Sequence, residues 1–315
     1  MIRPCLSKPP KSALMTRLRA DLYLLMIAVI WGLSFVFQKS AMAHLGPLTF
    51  IAARSLVAIA ALLPLAIAEY RWLQTRPEAG GVKIWPPGLL GAGLKTGCAF
   101  MTAAALQQFG LLTATASNGG FLTALYVVLT PPLAWALRGT RPGPVLIPAV
   151  LLSAMGTWML GGGSFAALST GDWLVAACAI FWALHSILSE SAARYDRPVL
   201  FSAIQLVTVA GLAAIGATAF ETARIGAVLA AWREILFVGL LASALTVTVF
   251  TMALKHAPAS EAAVIVSTES LFAALAGAMF LGERLTIVAW AGAGLIMAAV
   301  VLVQVGPRMR RVEVE

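Results

Sequence analysis

The chain has 315 residues, of which 60% are hydrophobic and 11% charged, and its mean hydropathy is +0.91. About a quarter of the residues in a soluble domain are charged, so this composition excludes a soluble globular protein and indicates a polytopic membrane protein. The net charge of +9 does not indicate nucleic-acid binding, because membrane proteins concentrate Lys and Arg in their cytoplasmic loops. We therefore expect the lipid bilayer as a partner and no nucleic acid.

The N-terminal 20 residues are basic and contain proline, with no apolar stretch before Asp21. The apolar run that follows is too long for a signal peptide and lacks a small-residue cleavage pattern. We expect residues 1–20 and 305–315 to be cytoplasmic tails. Met15 is an alternative translation start within the first tail.

Ten apolar segments are long enough, or nearly so, for the about 20 helical residues that cross a bilayer. They span residues 21–42, 47–69, 88–111, 115–137, 145–162, 172–192, 198–220, 234–254, 258–281 and 287–304. The sequence therefore predicts an all-α polytopic membrane protein with ten transmembrane helices.

The distribution of Lys and Arg predicts the topology. With both termini inside, sixteen of the 22 basic residues fall on the cytoplasmic side and four on the other side, which agrees with the positive-inside rule. This indicates an integral protein of a bacterial inner (plasma) membrane with both termini in the cytoplasm. Seven of the nine Trp residues lie near segment ends, but Trp31 and Trp182 lie ten residues inside, about 15 Å deep.

The two deep tryptophans belong to an internal repeat. "AVIWGLSF" (28–35) aligns with "AIFWALHS" (179–186), and Pro47 then meets Pro198 at the same offset of 151 residues. Later in the chain the offset is 143 residues, and it aligns Ser117 with Ser260.

This alignment predicts two five-helix units, residues 21–162 and 172–304. Because five is odd, the second unit enters the membrane from the opposite side. Such inverted repeats build transporters whose substrate site lies at the midplane between the halves.

Four stretches carry a family resemblance: "IWGLSFV", "GPLTFIAARSLVA", "TASNGGFLTALYVV" and "ASEAAVIVSTESLFAALAGAMFLGERLT". In this order they resemble EamA-type members of the drug/metabolite transporter superfamily, over about residues 21–304. The resemblance implies ten helices, a central cavity lined by both halves, and carriage of small metabolites such as amino acids, or of drugs, without ATP. The chain departs from the pattern at Thr140, the counterpart of Glu283, and at Ser270, where a proline is common.

A polar and aromatic stripe follows the first segment. Trp31, Ser34 and Gln38 have i, i+3, i+7 spacing and share one helix face. Their counterparts in the sixth segment are Trp182, His185 and Ser189. An indole beside a hydroxyl or imidazole suits an amphipathic organic solute, and the alternative is hydrogen bonding between helices.

Tyr126 and Glu269 form a second pair of equivalent positions at mid-depth, 143 residues apart. A bare charge at the bilayer centre costs about 2.5–3.5 kcal/mol on insertion scales. Glu269 must therefore face a wet cavity, pair with a base or carry a proton. Our hypothesis is that it binds an amino group of the substrate or exchanges a proton. The alternative is a salt bridge that locks helices together.

Three further polar residues are candidates. Arg54 and Lys95 lie about 10 Å inside their membrane faces, a depth from which long basic side chains can reach the surface. We expect a structural or gating charge at Arg54, where the family resemblance also has an arginine. Lys95 either has such a role or attracts a carboxylate of the solute. Asn118 either contacts substrate in the cavity or caps a helix.

Several function classes lack their motifs. There is no G-x-x-x-x-G-K-[ST] loop for ATP, no metal-ligand spacing among His44, His185 and His256, and no nucleophile motif. We expect no cofactor, no metal and no enzymatic activity.

The sequence predicts a monomeric secondary transporter of small organic metabolites, with the proton as candidate coupling ion. The alternatives are a drug or organic-cation exporter, an intramembrane enzyme acting on lipid, and a structural or receptor-like module without solute flux.

Overall fold

The computed structural model describes residues 11–74, 85–139, 141–160, 168–222, 224–284 and 286–312. Over these residues the fold is all-α, and no strand occurs. Eight helical stretches are long and apolar enough to cross a membrane, and two shorter apolar helices accompany them at Leu146–Leu160 and Ile287–Val303. Each of the ten predicted segments coincides with one of these stretches, which confirms the predicted fold class.

The described first half holds six helices. They are α1 (Lys11–Ala41), α2 (Pro47–Gln74), α3 (Leu89–Gly110), α4 (Ala116–Thr123), α5 (Tyr126–Arg138) and α6 (Leu146–Leu160). The second half holds eight α-helices and a π-helix among its described residues. They are α7 (Thr170–Ala193), α8 (Pro198–Phe220), α9 (Ile225–Ala230), α10 (Trp232–Leu236), the π-helix (Phe237–Leu245), α11 (Thr246–Ala253), α12 (Ala259–Val266), α13 (Glu269–Leu281) and α14 (Ile287–Val312).

The helix bounds differ from the predicted segments at both ends of the chain. α1 begins at Lys11, so part of the stretch predicted to be a tail continues the first membrane helix. α14 ends at Val312, beyond the predicted end at residue 304. Thr140, residues 1–10 and residues 313–315 lie outside the described part of the chain.

The fourth and ninth predicted segments are each divided in two at equivalent positions. The amide of Val127 bonds to the carbonyl of Ala124 at 3.0 Å, and the amide of Ser270 bonds to the carbonyl of Ser267 at 3.1 Å. These i→i−3 bonds tighten one turn at the same place in each half. As a result, α5 begins at Tyr126 and α13 begins at Glu269, so both side chains project from the start of a half-helix.

The helix pairs follow the repeat: α2 packs on its counterpart α8, and α6 packs on its counterpart α14. α6 and α14 meet through glycines. A Cβ atom on Gly156 would lie 2.5 Å from the carbonyl oxygen of Gly292. Close backbone approach at small residues is the usual basis of helix association in membranes.

A second close contact joins the halves next to the predicted site. A Cβ atom on Gly32 of α1 would lie 2.7 Å from the carbonyl oxygen of Glu269 at the start of α13. Because Gly32 has no side chain, α1 packs directly on the first turn of α13. Trp31 is the neighbouring residue in the sequence, so this contact lies next to the predicted aromatic and polar stripe of α1.

Carboxylates from one half cap helices of the other half. Glu221, just after α8, accepts hydrogen bonds from the amides of Leu48 and Thr49 at 2.9 and 2.8 Å. In return Glu69, near the end of α2, accepts from the amide of Leu200 at 3.1 Å. A carboxylate at a helix N-terminus satisfies free N–H groups and complements the helix dipole, so each helix of this antiparallel pair stabilises the start of the other.

Candidate substrate site in the central cavity

A cavity lies between the two halves, and residues of α1, α2, α3, α4, α5, α7, α11, α13 and the π-helix line it. Its volume, measured for the centre of a water-sized sphere, is about 50 Å³, which is room for a few water molecules. Many of the residues predicted to contact substrate lie on its wall: Trp31, Ser34, Gln38, Tyr126, Trp182, His185 and Glu269.

The aromatic part of the wall is formed by both deep tryptophans. The rings of Trp31 and Trp182 lie 6.4 Å apart, centre to centre, so the two rings pack next to each other in the cavity wall. Phe250 lies 5.6 Å from Trp31, and Phe100 lies 5.1 Å from Trp182. These rings form an apolar surface against which an organic solute can pack.

Trp31 is anchored on the irregular part of the eighth membrane helix. Its indole Nε1 donates to the carbonyl oxygen of Ala242 at 3.1 Å and to the hydroxyl oxygen of Thr246 at 2.8 Å. Ala242 belongs to the π-helix, and π-helical turns occur preferentially at functional sites. The ring of Trp31 therefore has a fixed orientation.

The polar stripe of α1 is tied together internally. The Ser34 hydroxyl donates to the Trp31 carbonyl at 2.7 Å, and Gln38 Nε2 donates to the Ser34 hydroxyl at 2.9 Å. Gln38 Oε1 is buried and has no hydrogen-bond partner. This carbonyl oxygen is therefore available to a donor group of a solute.

His185 occupies the position equivalent to Ser34 but has a different partner. Its Nε2 lies 2.9 Å from Oε1 of Gln205, and in this amide orientation Nε2 carries the hydrogen. The imidazole is stacked on Phe250 at 6.4 Å and meets Trp182 edge-on at 5.5 Å. The imidazole is thus part of the aromatic wall.

Two ionisable side chains, one basic and one acidic, line the cavity without forming an ion pair with each other. Arg54 and Glu269 are both buried, with 5% and 2% of their surface exposed. Arg54 Nε and Glu269 Oε1 have no hydrogen-bond partner, and neither side chain makes an ion pair with any residue the structure describes. The salt bridge considered as an alternative role for Glu269 is therefore absent from this part of the chain.

The sequence predicts a structural or gating charge at Arg54, and the structure places this residue on the cavity wall. Its guanidinium carbon lies 5.8 Å from the centre of the Phe50 ring. That contact is a weak cation–π interaction, which leaves the donors of the guanidinium available to an anion.

Three predicted residues do not lie on the wall. Lys95 is exposed on the outer surface of α3. Asn118 donates to Asp172 Oδ1 at 3.1 Å, which joins α4 to the start of α7. Ser189 is buried one turn beyond His185, and its hydroxyl has no partner. Lys95 is excluded from the wall by the helix face on which it lies, whereas Asn118 and Ser189 are excluded by their positions along α4 and α7.

Sequence reasoning also missed several wall residues, among them residues of α3 and α4. Gln107 Nε2 donates to the Thr123 hydroxyl at 2.9 Å, and both residues line the cavity together with Phe100. The polar pair Gln107–Gln108 inside an apolar segment is the signal that could have drawn attention to α3.

Comparison with known proteins gives the family. The sequence model of the EamA-like transporter family matches the chain twice, over residues 18–162 and 169–305. The chain belongs to the EamA-like transporter family. This family forms part of the drug/metabolite transporter superfamily, and membership points to a transporter rather than an enzyme.

Two curated relatives match nearly the whole length of this EamA-like chain. An "Uncharacterized transporter" of Archaeoglobus fulgidus is 29% identical over 287 residues, which cover 91% of this chain and 86% of that protein. The "Uncharacterized transporter YwfM" of Bacillus subtilis is 26% identical over 293 residues, or 92% of this chain and 95% of that protein. A solved structure, titled "Crystal structure of protein", superposes with a TM-score of 0.73 at 17% identity and covers 92% of this chain and 98% of its own. It supports the fold alone.

Proposed function

We propose that this EamA-like transporter is a secondary carrier of small organic metabolites, with amino acids or related zwitterionic solutes as substrates. The observation that carries the proposal is the pair Arg54 and Glu269. Both charged groups are buried on the wall of one cavity, and neither has a counter-ion among the described residues. Unpaired buried charges are costly, and a solute that carries a carboxylate and an ammonium group would neutralise both.

The repeat strengthens this proposal. The position equivalent to Arg54 in the second half is Gln205, and the position equivalent to Glu269 in the first half is Tyr126. A two-fold scaffold therefore carries one positive and one negative group, one in each half. Such an arrangement favours a solute with opposite charges at its two ends, and it allows that solute to bind in only one orientation.

The size of the cavity supports an alternating-access mechanism. A space of about 50 Å³ admits a few water molecules, so a metabolite enters only when the halves move apart on one side. Rocking of inverted repeats about a midplane site is the usual form of this motion.

A drug or organic-cation exporter is the second candidate. Trp31, Trp182 and Phe100 beside a carboxylate form a suitable surface for an organic cation. The buried guanidinium of Arg54 disfavours this candidate, because it would repel a cation bound nearby.

We also propose that the proton is the coupling ion, exchanged with substrate at Glu269. We further propose that the protein acts as a monomer in a bacterial inner membrane with both termini in the cytoplasm. The division into units at residues 21–162 and 172–304 is part of the same proposal.

Flux measurements in liposomes test the function. The purified protein is reconstituted and assayed for uptake and counterflow of labelled amino acids, organic cations and carboxylates, with and without a proton gradient. We expect saturable counterflow of amino acids and little flux of simple cations. Flux of cations alone would favour the second candidate, and no flux of any solute would contradict the carrier function.

A further inference from the structure

A second cavity lies far from the central one, at the end of α2 and the start of α8. Its volume, on the same measure, is about 400 Å³, and it opens to the surface. Glu69 and Arg197 supply its charges, and Tyr70, Trp85 and Leu200 supply much of its apolar wall. This end of both helices is the face predicted to be cytoplasmic.

Arg197 has unused hydrogen-bonding capacity inside this cavity. The residue is 7% exposed, and its Nη1 donates to the backbone carbonyl of Asp196 at 2.8 Å. Its Nε is buried without a partner, and it forms no ion pair among the described residues. Glu69 already bonds the first amides of α8, so the unpartnered Nε is what Arg197 offers to a ligand. The position therefore suits an anion.

Glu69 provides an opposite charge in the same cavity. Its carboxylate accepts from the amides of Val199 and Leu200 at 3.4 and 3.1 Å, and each carboxylate oxygen has a further lone pair. A ligand with one phosphate and one ammonium group matches Arg197 and Glu69 together. A purely anionic ligand would instead be repelled by Glu69.

The surroundings of the cavity are those of the membrane interface. Trp85 and Tyr70 are 55% and 39% exposed, and amphipathic aromatic rings concentrate at the level of lipid headgroups. From the cavity, Ile67, Leu63 and Leu56 continue along one face of α2 with exposed fractions of 45, 60 and 59%. Their spacing of four and seven residues gives a straight apolar track, along which an acyl chain can lie.

We propose that this cavity binds the headgroup of an aminophospholipid of the phosphatidylethanolamine class. The lipid phosphate accepts hydrogen bonds from Arg197, and the primary ammonium donates to Glu69. Trp85 and Tyr70 enclose the glycerol region, and the acyl chains follow the exposed face of α2. The lipid thereby joins the end of α2 to the start of α8, one helix from each half.

Native mass spectrometry of the purified full-length protein tests the assignment. The protein is titrated in detergent with phosphatidylethanolamine, phosphatidylcholine and phosphatidylglycerol of identical acyl chains, and the lipid-bound fraction is measured. We expect phosphatidylethanolamine to bind best. Arg197→Gln should weaken its binding about tenfold, the effect of losing a charge-assisted hydrogen bond. Glu69→Gln should abolish the preference for phosphatidylethanolamine over phosphatidylcholine.

The matched control is Arg194→Gln, which removes an exposed arginine three residues away and should leave binding unchanged. Leu200→Trp fills the cavity without changing charge and should abolish binding, so the test does not depend on the folding of the Arg197 variant. Equal losses from Arg194→Gln and Arg197→Gln, tightest binding of phosphatidylglycerol, or displacement of lipid by inorganic phosphate would each overturn the assignment.

Discussion

Three pairs of equivalent positions around the central cavity carry different side chains: Ser34 and His185, Tyr126 and Glu269, and Arg54 and Gln205. The sequence repeat pairs Ser34 with His185 and Tyr126 with Glu269, because shared landmarks fix the offsets, and the same offset of 151 residues then gives Gln205 as the counterpart of Arg54. It does not identify Arg54 as a wall residue. The length of an apolar segment indicates how deep in the membrane a side chain lies. When the segment is apolar on all sides, the sequence does not indicate the direction in which that side chain points.

The pH dependence of transport tests the role of Glu269. A proton and a substrate ammonium group compete for the same carboxylate, so the apparent KM should rise as the pH is lowered. Glu269→Gln should reduce transport about 10–100-fold, the effect of losing a hydrogen bond to a charged group, and make the residual rate independent of pH. Tyr126→Phe alters the equivalent position but keeps the carboxylate, so its pH profile should match that of the unmodified protein.

Substrate size tests the role of His185. Its imidazole packs on Phe250 and Trp182, so His185→Ser should enlarge the cavity on the aromatic side. We expect bulky amino acids to gain transport rate relative to small ones by several-fold. Ser34→Ala removes a hydroxyl at the equivalent position with little change of volume and should leave the order of preference intact. Identical preference in both variants would contradict this role.

At the scale of the helices, length and hydropathy are enough to predict where helices occur. They do not predict the divided fourth and ninth helices or the π-helix at Phe237–Leu245. The breaks fall at Ala124–Leu125 and Ser267–Thr268, and neither pair of residues contains a helix breaker. Tertiary contacts accompany these irregularities, such as the packing of Gly32 on the first turn of α13 and the bonds of Trp31 to the π-helix. Such contacts cannot be read from a single segment.

Thermal unfolding of two glycine variants tests the packing of α14. A Cβ atom at Gly292 would meet the α6 backbone, with Leu160 N at 2.7 Å, whereas a Cβ atom at Gly294 would meet nothing within 4 Å. Gly292→Ala should destabilise the protein by about 1–3 kcal/mol, as overpacking does. Gly294→Ala should have no such cost. Equal unfolding temperatures for the two variants would contradict the close contact of α6 with α14.

At the scale of the whole molecule, ion pairs between the halves lie on the face predicted to be cytoplasmic. Arg17 contacts Glu261 at 2.6 Å, and Arg138 contacts Glu190 at 2.5 Å. Each pair joins a residue of the first half to one of the second. Separation of the halves on this face must break both pairs. The sequence predicts the side on which these charges lie, but not their partners, which depend on how the two repeats dock.

Thiol labelling tests whether these pairs keep the cavity closed. Cys178 is buried, and its Sγ lies 3.7 Å from the hydroxyl of Thr123 on the cavity wall. In a Cys5→Ser, Cys98→Ser background, Arg138→Gln combined with Glu261→Gln should raise the labelling rate of Cys178 several-fold. Each partly exposed ion pair stabilises the closed cavity by about 0.2–1 kcal/mol. Because 1.4 kcal/mol corresponds to about a tenfold change in an equilibrium constant, loss of both pairs should increase the labelling rate several-fold.

The control for this labelling is Lys255→Gln. It breaks the pair between Lys255 and Asp196, which both belong to the second half, and it should leave the labelling rate unchanged. An equal increase in the control would show that loss of surface charge, rather than separation of the halves, exposes Cys178.

The central claim is that Arg54 and Glu269 bind the two charged ends of one solute. Counterflow in liposomes tests it most directly, with an amino acid, the corresponding amine and the corresponding carboxylic acid as a matched set. We predict that the unmodified protein prefers the amino acid, that Arg54→Gln shifts the preference to the amine, and that Glu269→Gln shifts it to the carboxylic acid. If both variants transport all three solutes in the same proportions as the unmodified protein, the claim is contradicted.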